Sequence, residues 1–329
     1  MRFVCKQENL IKALVKVSGL VGKNFNLPIL NNILIKTDED GIEILATNLE
    51  VGIKTKIRGK IEEKGRITVP AKIFTDYINL IGSDENIEIQ TKEDKIEIIS
   101  GSWQTKIKTS SAEDYPLIPE IEEKQSIKLK VDEFKKTLNQ VLFAASYDEA
   151  RPELTGILFW LKENKLILTA TDSYRLAEKK NDFNENISNE IKIIVPLKTF
   201  QEVNKIINEE DNNEIKVVLD ENQIKFEFGE NILISRLIEG EYPDYNQIIP
   251  DNFNTNFEIS NQEFIKAVKA ASLFTKSGIF DITLEITKDQ VEVSSVNNQI
   301  GENNIKIQVN NFSGKNIKII FNYKYLLDG

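Results

Sequence analysis

The chain repeats one short pattern at intervals of 126 residues. Val69-Pro70-Ala71-Lys72 returns as Val195-Pro196-Leu197-Lys198 and again, with only the lysine retained, as Phe321-Asn322-Tyr323-Lys324. Self-similarity at a fixed spacing is the sequence sign of a fold built from repeated structural units. We therefore predict three copies of one module, which together present a surface with three equivalent elements.

An amphipathic helix is predicted upstream of each copy of this pattern, over residues 8–20, 132–146 and 262–275. In all three helices, apolar residues four positions apart mark one face. These pairs are Leu10 and Leu14, Phe134 and Leu138, and Phe264 and Val268. Because the same register also aligns Lys12, Lys136 and Lys266, each helix carries a lysine in the same place.

After each helix, alternating apolar and polar residues predict a β-hairpin. The paired segments are 33–36 with 42–47, 157–161 with 166–171, and 282–286 with 291–296. Asp40-Gly41 is a strong turn signal for the first hairpin, whereas the other two turns carry weaker signals. Because helices alternate with antiparallel hairpins, we predict an α+β fold of three modules at 1–120, 126–250 and 255–329.

The third copy is shorter than the first. Two spacings of 126 residues place Gly329 opposite Tyr77, whereas the first copy continues to about Pro119. We therefore expect the third module to lack about 40 residues at its C-terminal end. The sequence stops within a helical pattern that leaves apolar side chains without a partner, so we expect it to be a fragment.

The composition is that of a globular protein with a sizeable core, because 40% of the 329 residues are hydrophobic and 29% are charged. No apolar run approaches the length of a membrane span, and the chain enters a strand-like segment directly after Met1. We therefore expect a cytoplasmic protein. Cys5 is the only cysteine and cannot form an intramolecular disulfide, so we expect it to be buried in the first strand.

Missing residue types exclude several classes of chemistry. The chain has no histidine, which rules out Ser-His and Cys-His nucleophile pairs and the usual histidine sites for zinc and iron. It also has no glycine-rich phosphate loop and no dinucleotide fingerprint. Carboxylate catalysis would need a pair such as Asp148 and Glu149, yet nothing else in the chain supports a reaction centre. We therefore expect no catalytic residue, no cofactor and no metal.

The net charge of −10 would ordinarily argue against a nucleic-acid partner. A protein that encloses a polyanion, however, needs positive charge only where the two meet. A second lysine column, Lys72, Lys198 and Lys324, follows the repeated Val-Pro position, where a proline is expected to open a helix. Each lysine taken alone is also compatible with an ordinary exposed helix surface. Two complete columns favour three equivalent cationic clusters.

Further segments carry a resemblance to a known family. The two most specific runs are Thr169-Ala170-Thr171-Asp172-Ser173-Tyr174-Arg175-Leu176-Ala177 and Gly240-Glu241-Tyr242-Pro243-Asp244-Tyr245. Residues 27–32, 148–156 and 321–328 add shorter matches. Within a threefold repeat, this combination resembles the bacterial DNA polymerase III beta subunits, or sliding clamps, from Met1 to Gly329. The resemblance implies the DNA-clamp fold, in which each module has two helices backed by antiparallel sheets.

The resemblance also implies a function, that of a DNA polymerase processivity factor with no catalytic activity of its own. In this family two crescent-shaped subunits join head to tail, and the ring encircles duplex DNA and slides without reading its sequence. The implied partners are a second copy of the chain, duplex DNA, the replicative polymerase alpha subunit, the clamp loader, repair polymerases, and ligase or mismatch-repair proteins. Two alternatives are a repeat scaffold that binds proteins without encircling DNA, and a carboxylate-dependent hydrolase.

Three surfaces follow from the resemblance. The DNA-facing residues implied by the family are Lys23, Asn24, Asp148, Arg151, Tyr174, Arg175 and Lys198, the last of which also belongs to the second lysine column. The pocket for partner peptides is implied at Leu154, Thr171, Ser173, Tyr174, Arg175, Leu176, Pro243, Gln247, Ile248, Asn322 and Tyr325. The subunit interface is implied at Trp103, Thr105, Ile107, Leu273, Ile305 and Ile307. Three positions depart from the family. Asn24 stands where arginine is frequent, Asp148 stands where an uncharged polar residue would suit phosphate better, and Thr105 stands where phenylalanine is frequent.

Overall fold

The structure, a computed structural model, describes residues 1–22, 26–182, 190–207, 213–276 and 278–329. These residues form two compact units, Met1–Tyr242 and Pro243–Gly329. In the described part of the chain, no helix has the length and apolar character needed to cross a membrane.

The N-terminal half of the larger unit begins with a strand that leads directly into a helix. Its elements are β1 (Arg2–Lys6), α1 (Gln7–Ser18), β2 (Asn32–Asp38), β3 (Gly41–Thr47), β4 (Val51–Ile57), β5 (Gly59–Glu63), β6 (Gly65–Pro70), α2 (Ala71–Leu80), β7 (Asn86–Lys92), β8 (Lys95–Ser100) and β9 (Trp103–Lys108). A short 3-10 helix, Pro28–Asn31, precedes β2.

The second half of this unit repeats the order of strand, helix, hairpin and helix. Its elements are β10 (Gln125–Lys130), α3 (Val131–Val141), β11 (Gly156–Lys162), β12 (Lys165–Thr171), β13 (Leu176–Asp182), β14 (Ile191–Pro196), α4 (Leu197–Ile206), β15 (Glu214–Leu219), β16 (Gln223–Phe228) and β17 (Asn231–Arg236). Two 3-10 helices, Leu142–Ala144 and Pro152–Leu154, lie between α3 and β11.

The smaller unit follows the same order over a shorter length. After the 3-10 helix Tyr245–Ile248, its elements are β18 (Thr255–Ile259), α5 (Asn261–Ser272), β19 (Asp281–Ile286), β20 (Gln290–Asn297), β21 (Gly301–Gly314), β22 (Ile317–Asn322) and α6 (Tyr323–Asp328). The structure thus confirms the predicted helix and hairpin in all three copies. Cys5 lies buried in β1 as expected, and burial raises the pKa of its thiol to about 12.

The aligned apolar column is buried in each copy. Leu10 and Leu14 are fully buried beneath α1, and the equivalent residues of α3 are also buried. In α5, Val268 is buried and Phe264 is half-buried against the core of the smaller unit. The periodicity therefore located the core face of each helix correctly, because residues four positions apart lie on the same side of a helix.

The helices α2 and α4 begin differently from the sequence expectation. Pro70 and Pro196 are the last residues of β6 and β14, and each immediately precedes the first helical residue. Their φ angles of −56° and −53° suit both the strand end and the helix start. Proline has no N–H to donate. At the position just before the helix, no intrahelical hydrogen bond needs that N–H, so none is lost.

A continuous sheet joins the first two copies of the repeat. The eight strands run in the order β10-β15-β16-β17-β4-β3-β2-β6, and β17 pairs antiparallel with β4. At this junction the buried Thr55 hydroxyl donates a 2.9 Å hydrogen bond to the Asn231 side chain. The other described sheets have the orders β5-β1-β7-β8-β9, β13-β12-β11-β14 and β18-β21-β20-β19-β22.

Four phenylalanines form the centre of the second copy. Phe200 on α4 packs edge to face against Phe134 and Phe226, with ring centroids 6.0 and 5.8 Å apart, and stacks on Phe159 at 6.3 Å. All four side chains are at least 98% buried. Aromatic rings remove large apolar areas from water, so this cluster is a major source of stability for the larger unit.

The segment after β9 is held against the sheet by Tyr115. Its buried hydroxyl donates to the Asn32 carbonyl and accepts from the Thr47 N–H, each at 3.2 Å. Burial raises the pKa of this phenol from 10.0 to about 12, so the hydroxyl keeps its donor proton at mildly alkaline as well as neutral pH. Tyr115 therefore fixes the path of the connection between the first two copies of the repeat.

Candidate functional site

All six lysines of the two columns are exposed on helices. They are Lys12, Lys72, Lys136, Lys198, Lys266 and Lys324. Lys12 pairs with Glu8 at 2.7 Å, one helical turn earlier, and the Lys324 ammonium lies 3.5 Å from the centroid of the Phe280 ring. For the other four, the described residues provide no ion pair. Their charge is therefore available to an external anion.

The remaining DNA-facing candidates lie on loops. Asp148 is exposed and accepts a hydrogen bond from the Ala150 N–H, a local turn contact. Arg151 is exposed and bonds to Glu153 and Ser173 at 3.2 Å each. Tyr174 is 83% exposed. Lys23 and Asn24 lie outside the described residues.

Arg175 is held by its own unit. Its guanidinium pairs with Asp172 at 3.0 Å, donates to the Phe143 carbonyl at 2.5 Å and lies over the Phe143 ring. Only 19% of its side chain is exposed. Because these contacts satisfy much of its hydrogen-bonding capacity, Arg175 is less available to phosphate than the helix lysines are.

A tight loop presents the pocket candidates of the larger unit. The Asp172 carboxylate accepts from the N–H groups of Tyr174 and Arg175 at 3.0 Å each, and the Thr171 hydroxyl donates to the Arg175 carbonyl at 2.7 Å. Ser173 adopts a left-handed conformation with φ of 74°. Leu154 is buried, and Leu176 is half-buried where β13 begins. The loop is therefore a rigid edge beside apolar side chains.

The smaller unit supplies the other pocket candidates on two segments. On the first, Ile248 is 70% exposed and the Gln247 amide donates to Asp244 at 2.8 Å, close to half-buried Pro243. On the second, the Asn322 side chain accepts from the Lys324 N–H and caps α6, on which Tyr325 is half-buried. Ile248 is therefore a surface residue and not part of this unit's core.

Five of the six candidate interface residues lie on two strands, β9 and β21. Among the described residues, β9 pairs only with β8, so the outer edge of β9, which includes Trp103 and Thr105 in its length, has no strand partner. Ile107 is buried in its own core, whereas Trp103 is 44% exposed and packs edge to face against Tyr77. An open edge of this kind is a template for pairing with another chain.

The second candidate strand, β21, has no described strand partner on one side over about half of its length. In the smaller unit, β20 pairs with Gly301–Gln308 of β21, while β18 pairs only with its later residues from Val309 onward. Ile305 is half-buried and Ile307 is buried beneath this segment, so the part left for a partner is chiefly backbone. Leu273, just after α5, is 72% exposed, so its side chain as well as its backbone is accessible to a partner.

A charged network near the β9 edge was missed at the sequence level. The Glu97 side chain on β8 is only 2% exposed and pairs with Lys92 at 2.5 Å and with Lys106 at 3.5 Å. It also accepts hydrogen bonds from Gln90 and Gln104. These contacts, first of all the one from Lys92, lower the pKa of the Glu97 carboxyl from 4.5 to about 2. The only sequence signal was a glutamate within an isoleucine-rich strand.

We expect Glu97→Gln to reduce the acid sensitivity of the larger unit. The folded-state pKa of Glu97 is depressed, so its contribution to stability is complete above about pH 4.5 and is lost as the pH falls through about 2. Thermal unfolding should show the variant less stable than the parent at pH 6, with a gap that narrows steadily towards pH 2. A gap that is constant with pH would contradict the assignment. Exposed Glu93→Gln is the control.

Within the described ranges, no three Cys, Asp or Glu side chains gather as a metal site would require. What the geometry offers is a set of exposed helix cations, one rigid loop with apolar neighbours, and two strands with an open edge. This combination suits binding to a polyanion and to other polypeptides.

Comparison with known proteins covers nearly the whole chain. The models of the DNA polymerase III beta subunit match in order, with the N-terminal domain at residues 1–119, the central domain at 128–244 and the C-terminal domain at 246–329. Beta sliding clamps from Staphylococcus aureus and Staphylococcus epidermidis are 34% and 32% identical, and each alignment spans all of this chain and 89% of the relative.

Solved structures agree with this match. The DNA polymerase sliding clamp from Bacillus subtilis superposes with a TM-score of 0.93 at 28% identity, covering 100% of this chain and 89% of the other. The DNA polymerase III subunit beta from Pseudomonas aeruginosa gives 0.93 at 27% identity, with the same coverage. With three family domains matched in sequence and fold, the chain belongs to the DNA polymerase III beta subunit family of sliding clamps.

Proposed function

We propose that this chain works as a ring-shaped, head-to-tail homodimer that encircles duplex DNA and slides along it. As a member of its family it is a DNA polymerase processivity factor, an accessory subunit that catalyses no reaction itself. The observation that carries the DNA-binding part of the proposal is the pair of exposed lysine columns on the helices. Diffuse lysine contacts to phosphates bind without reading bases, which permits sliding.

The acidic remainder of the chain is consistent with this role. With a net charge of −10, the protein as a whole repels DNA, so binding depends on where its lysines lie. We propose that the three modules, at 1–120, 126–250 and 255–329, turn their lysine-bearing helices towards one axis. Loop residues Lys23, Asn24, Asp148, Arg151 and Tyr174 belong to the same proposed surface, with Arg175 in a lesser role.

We further propose that the loop Thr171–Arg175 borders a pocket for short peptides of partner proteins. Leu154 and Leu176 would supply apolar contacts from the larger unit. From the smaller unit the proposed contributors are Pro243, Gln247, Ile248, Asn322 and Tyr325. Pockets that combine apolar side chains with a few polar groups suit linear motifs. The proposed ligands are the polymerase, the clamp loader, repair polymerases, ligase and mismatch-repair proteins, all in the cytoplasm.

The test of the main proposal uses topology. The purified protein is loaded onto nicked circular DNA with a clamp loader, and the circle is then linearised. An encircling clamp stays on circles and leaves through free ends, so the retained fraction should fall sharply after linearisation. Equal retention on circles and linear DNA would reject the ring and favour a scaffold that does not encircle DNA.

The proposed subunit interface makes a separate prediction. Leu273→Asp would place a charge in a contact that excludes water, so we expect the dimer to weaken by roughly 2–4 kcal/mol. Leu273 is 72% exposed, so the fold of the subunit should be unaffected. Sedimentation analysis over a dilution series measures the dissociation constant. Ile320→Asp, a similar change at a 64% exposed site on β22, is the control and should leave it unchanged.

A further inference from the structure

The loop that borders the proposed partner pocket has a counterpart in the first copy of the repeat. Thr47-Asn48-Leu49-Glu50-Val51 lies 124 residues before Thr171-Asp172-Ser173-Tyr174-Arg175. The Asn48 side chain accepts from the N–H groups of Glu50 and Val51, as Asp172 does in the second copy. The two loops are therefore built on the same side-chain cap.

The remaining contacts of the two loops also correspond. The Thr47 hydroxyl donates to the Val51 carbonyl at 3.0 Å and accepts from the Leu49 N–H at 3.1 Å. Thr171 makes the same two contacts in its loop. Leu49 has a φ of 78°, close to the 74° of Ser173. A leucine in the left-handed region is uncommon, so its presence here indicates a loop whose shape is strongly constrained.

Two adjoining cavities lie beside this first loop. One has a volume of about 870 Å³ and is bordered by the start of α4, including Lys198. The other, of about 240 Å³, is bordered by Leu49, Leu117 and Ile118. Glu50 and Arg236 line both. We call the combined space the first junction cleft, because it lies where β4 meets β17 within the larger unit.

The smaller cavity is an apolar socket with an exposed rim. Leu117 is 91% exposed and Leu49 is 45% exposed, whereas Ile234 is buried at its base. Ile118 lies over Gly52, where a Cβ atom would come within 2.8 Å of it. Tyr115 fixes this connection to the sheet through its two hydrogen bonds. The socket is therefore preformed, and leucines exposed at its rim would gain by being covered.

The charges of the cleft distinguish between possible occupants. Arg236 is exposed, and within the described ranges its guanidinium has no ion pair. The larger cavity also carries the carboxylates of Glu50, Glu149 and Glu202. Three acids around the opening disfavour a run of phosphates, whereas a single carboxylate beside Arg236 would be well placed. The part of the cleft around Arg236 and the apolar socket thus favours a peptide over DNA, whereas Lys198, at the start of α4, belongs to the proposed DNA surface.

We propose that the first junction cleft is a second docking site for a short extended peptide. An apolar side chain of the peptide enters the socket beneath Leu49 and Leu117, and an acidic residue next to it pairs with Arg236. This inference rests on the proposed role of the Thr171–Arg175 loop, since the same loop geometry is taken to serve the same purpose in both copies. It gives each subunit two peptide sites of different specificity.

The experiment uses the full chain with isotope-labelled isoleucine and leucine methyl groups. The probe is a pool of acetylated hexapeptides with an aspartate two residues before a leucine, isoleucine or phenylalanine. We expect the methyl signals of Ile118 and Ile234 to shift on titration. Leu117→Asp and Arg236→Ala should each weaken binding at least tenfold, whereas Ile73→Asp, at a 55% exposed site outside the cleft, should not.

Charge matching provides a second readout. Replacing the aspartate of the peptides with lysine should weaken binding to the parent protein but have little effect on Arg236→Ala. No methyl shift at Ile118 and Ile234 with millimolar peptide would overturn the proposal. So would displacement of the peptide by a short DNA duplex, because DNA would then be the occupant.

The experiments distinguish two negative results: that the first junction cleft does not bind peptide, and that the protein does not encircle DNA. Leu117→Asp should still be retained on circular DNA, because Leu117 is not part of the proposed DNA surface. Ile248→Asp should weaken peptide binding only at the proposed partner pocket and leave the signals of Ile118 and Ile234 responsive. Loss of circle retention in the parent protein would reject the clamp function, while the methyl signals would still decide whether the cleft binds peptide.

Discussion

Replacing Lys72, Lys136, Lys198 and Lys266 together with alanine should remove most of the affinity for DNA. These are the column lysines that have no ion pair among the described residues, so their charge is available to phosphates. Each phosphate contact contributes about 0.9 to the slope of log K against log salt concentration, so the slope should fall by roughly 2–4. Anisotropy with a labelled duplex over a salt series measures both quantities.

The control for this prediction changes net charge by the same amount elsewhere. Lys60, Lys128, Lys165 and Lys288 are exposed on strands or turns, and their joint replacement with alanine leaves both lysine columns intact. The affinity of this control variant for DNA should depend on salt concentration as that of the parent protein does. If both quadruple variants lost affinity equally, the DNA contact would depend on net charge alone, and the lysine columns would have no special role.

Phe200→Ala should destabilise the larger unit by about 3–5 kcal/mol, the usual cost of deleting a fully buried phenylalanine. Phe200 is completely buried and contacts three other buried aromatic rings, so its truncation would leave a cavity among side chains that are already closely packed. The free energy of unfolding from a urea titration, followed by circular dichroism, measures the loss. If the Phe200→Ala variant is less stable but still folds, its binding to peptide and to DNA can be measured at low temperature.

The matched control is a phenylalanine on the surface. Phe253 is 66% exposed, so Phe253→Ala should change the free energy of unfolding by less than about 0.5 kcal/mol. A loss below 1 kcal/mol for Phe200→Ala would mean that the cavity collapses, contrary to the close packing of the four rings.

Most of the local structure was predictable from the sequence. The helices start within one residue of the expected positions, and the three hairpins coincide with the predicted segments. The reason is that four-residue and two-residue periodicities follow directly from helix and strand geometry. The prediction was less accurate at the end of α3, which stops at Val141 and continues as the 3-10 helix Leu142–Ala144.

The side-chain chemistry of the candidate surfaces was less predictable. Arg175 is predicted to face DNA and a peptide pocket, and the sequence does not indicate that Asp172 and the Phe143 carbonyl hold its guanidinium. No sequence motif marks Glu97, although four long side chains on neighbouring strands surround it in the structure. Such pairings depend on which side chains meet across strands, and a single sequence does not specify those contacts.

By itself the sequence determined the threefold repeat, the helix faces, the lysine columns and the family, because each depends on residue order and spacing along the chain. Only the tertiary structure decided that β4 and β17 join the first two copies in one sheet, through a contact between Thr55 and Asn231 that spans 176 residues of chain. It also decided that the Thr47–Val51 loop borders a cleft. Pairing of distant strands depends on how the whole chain closes, and local periodicity does not contain that information.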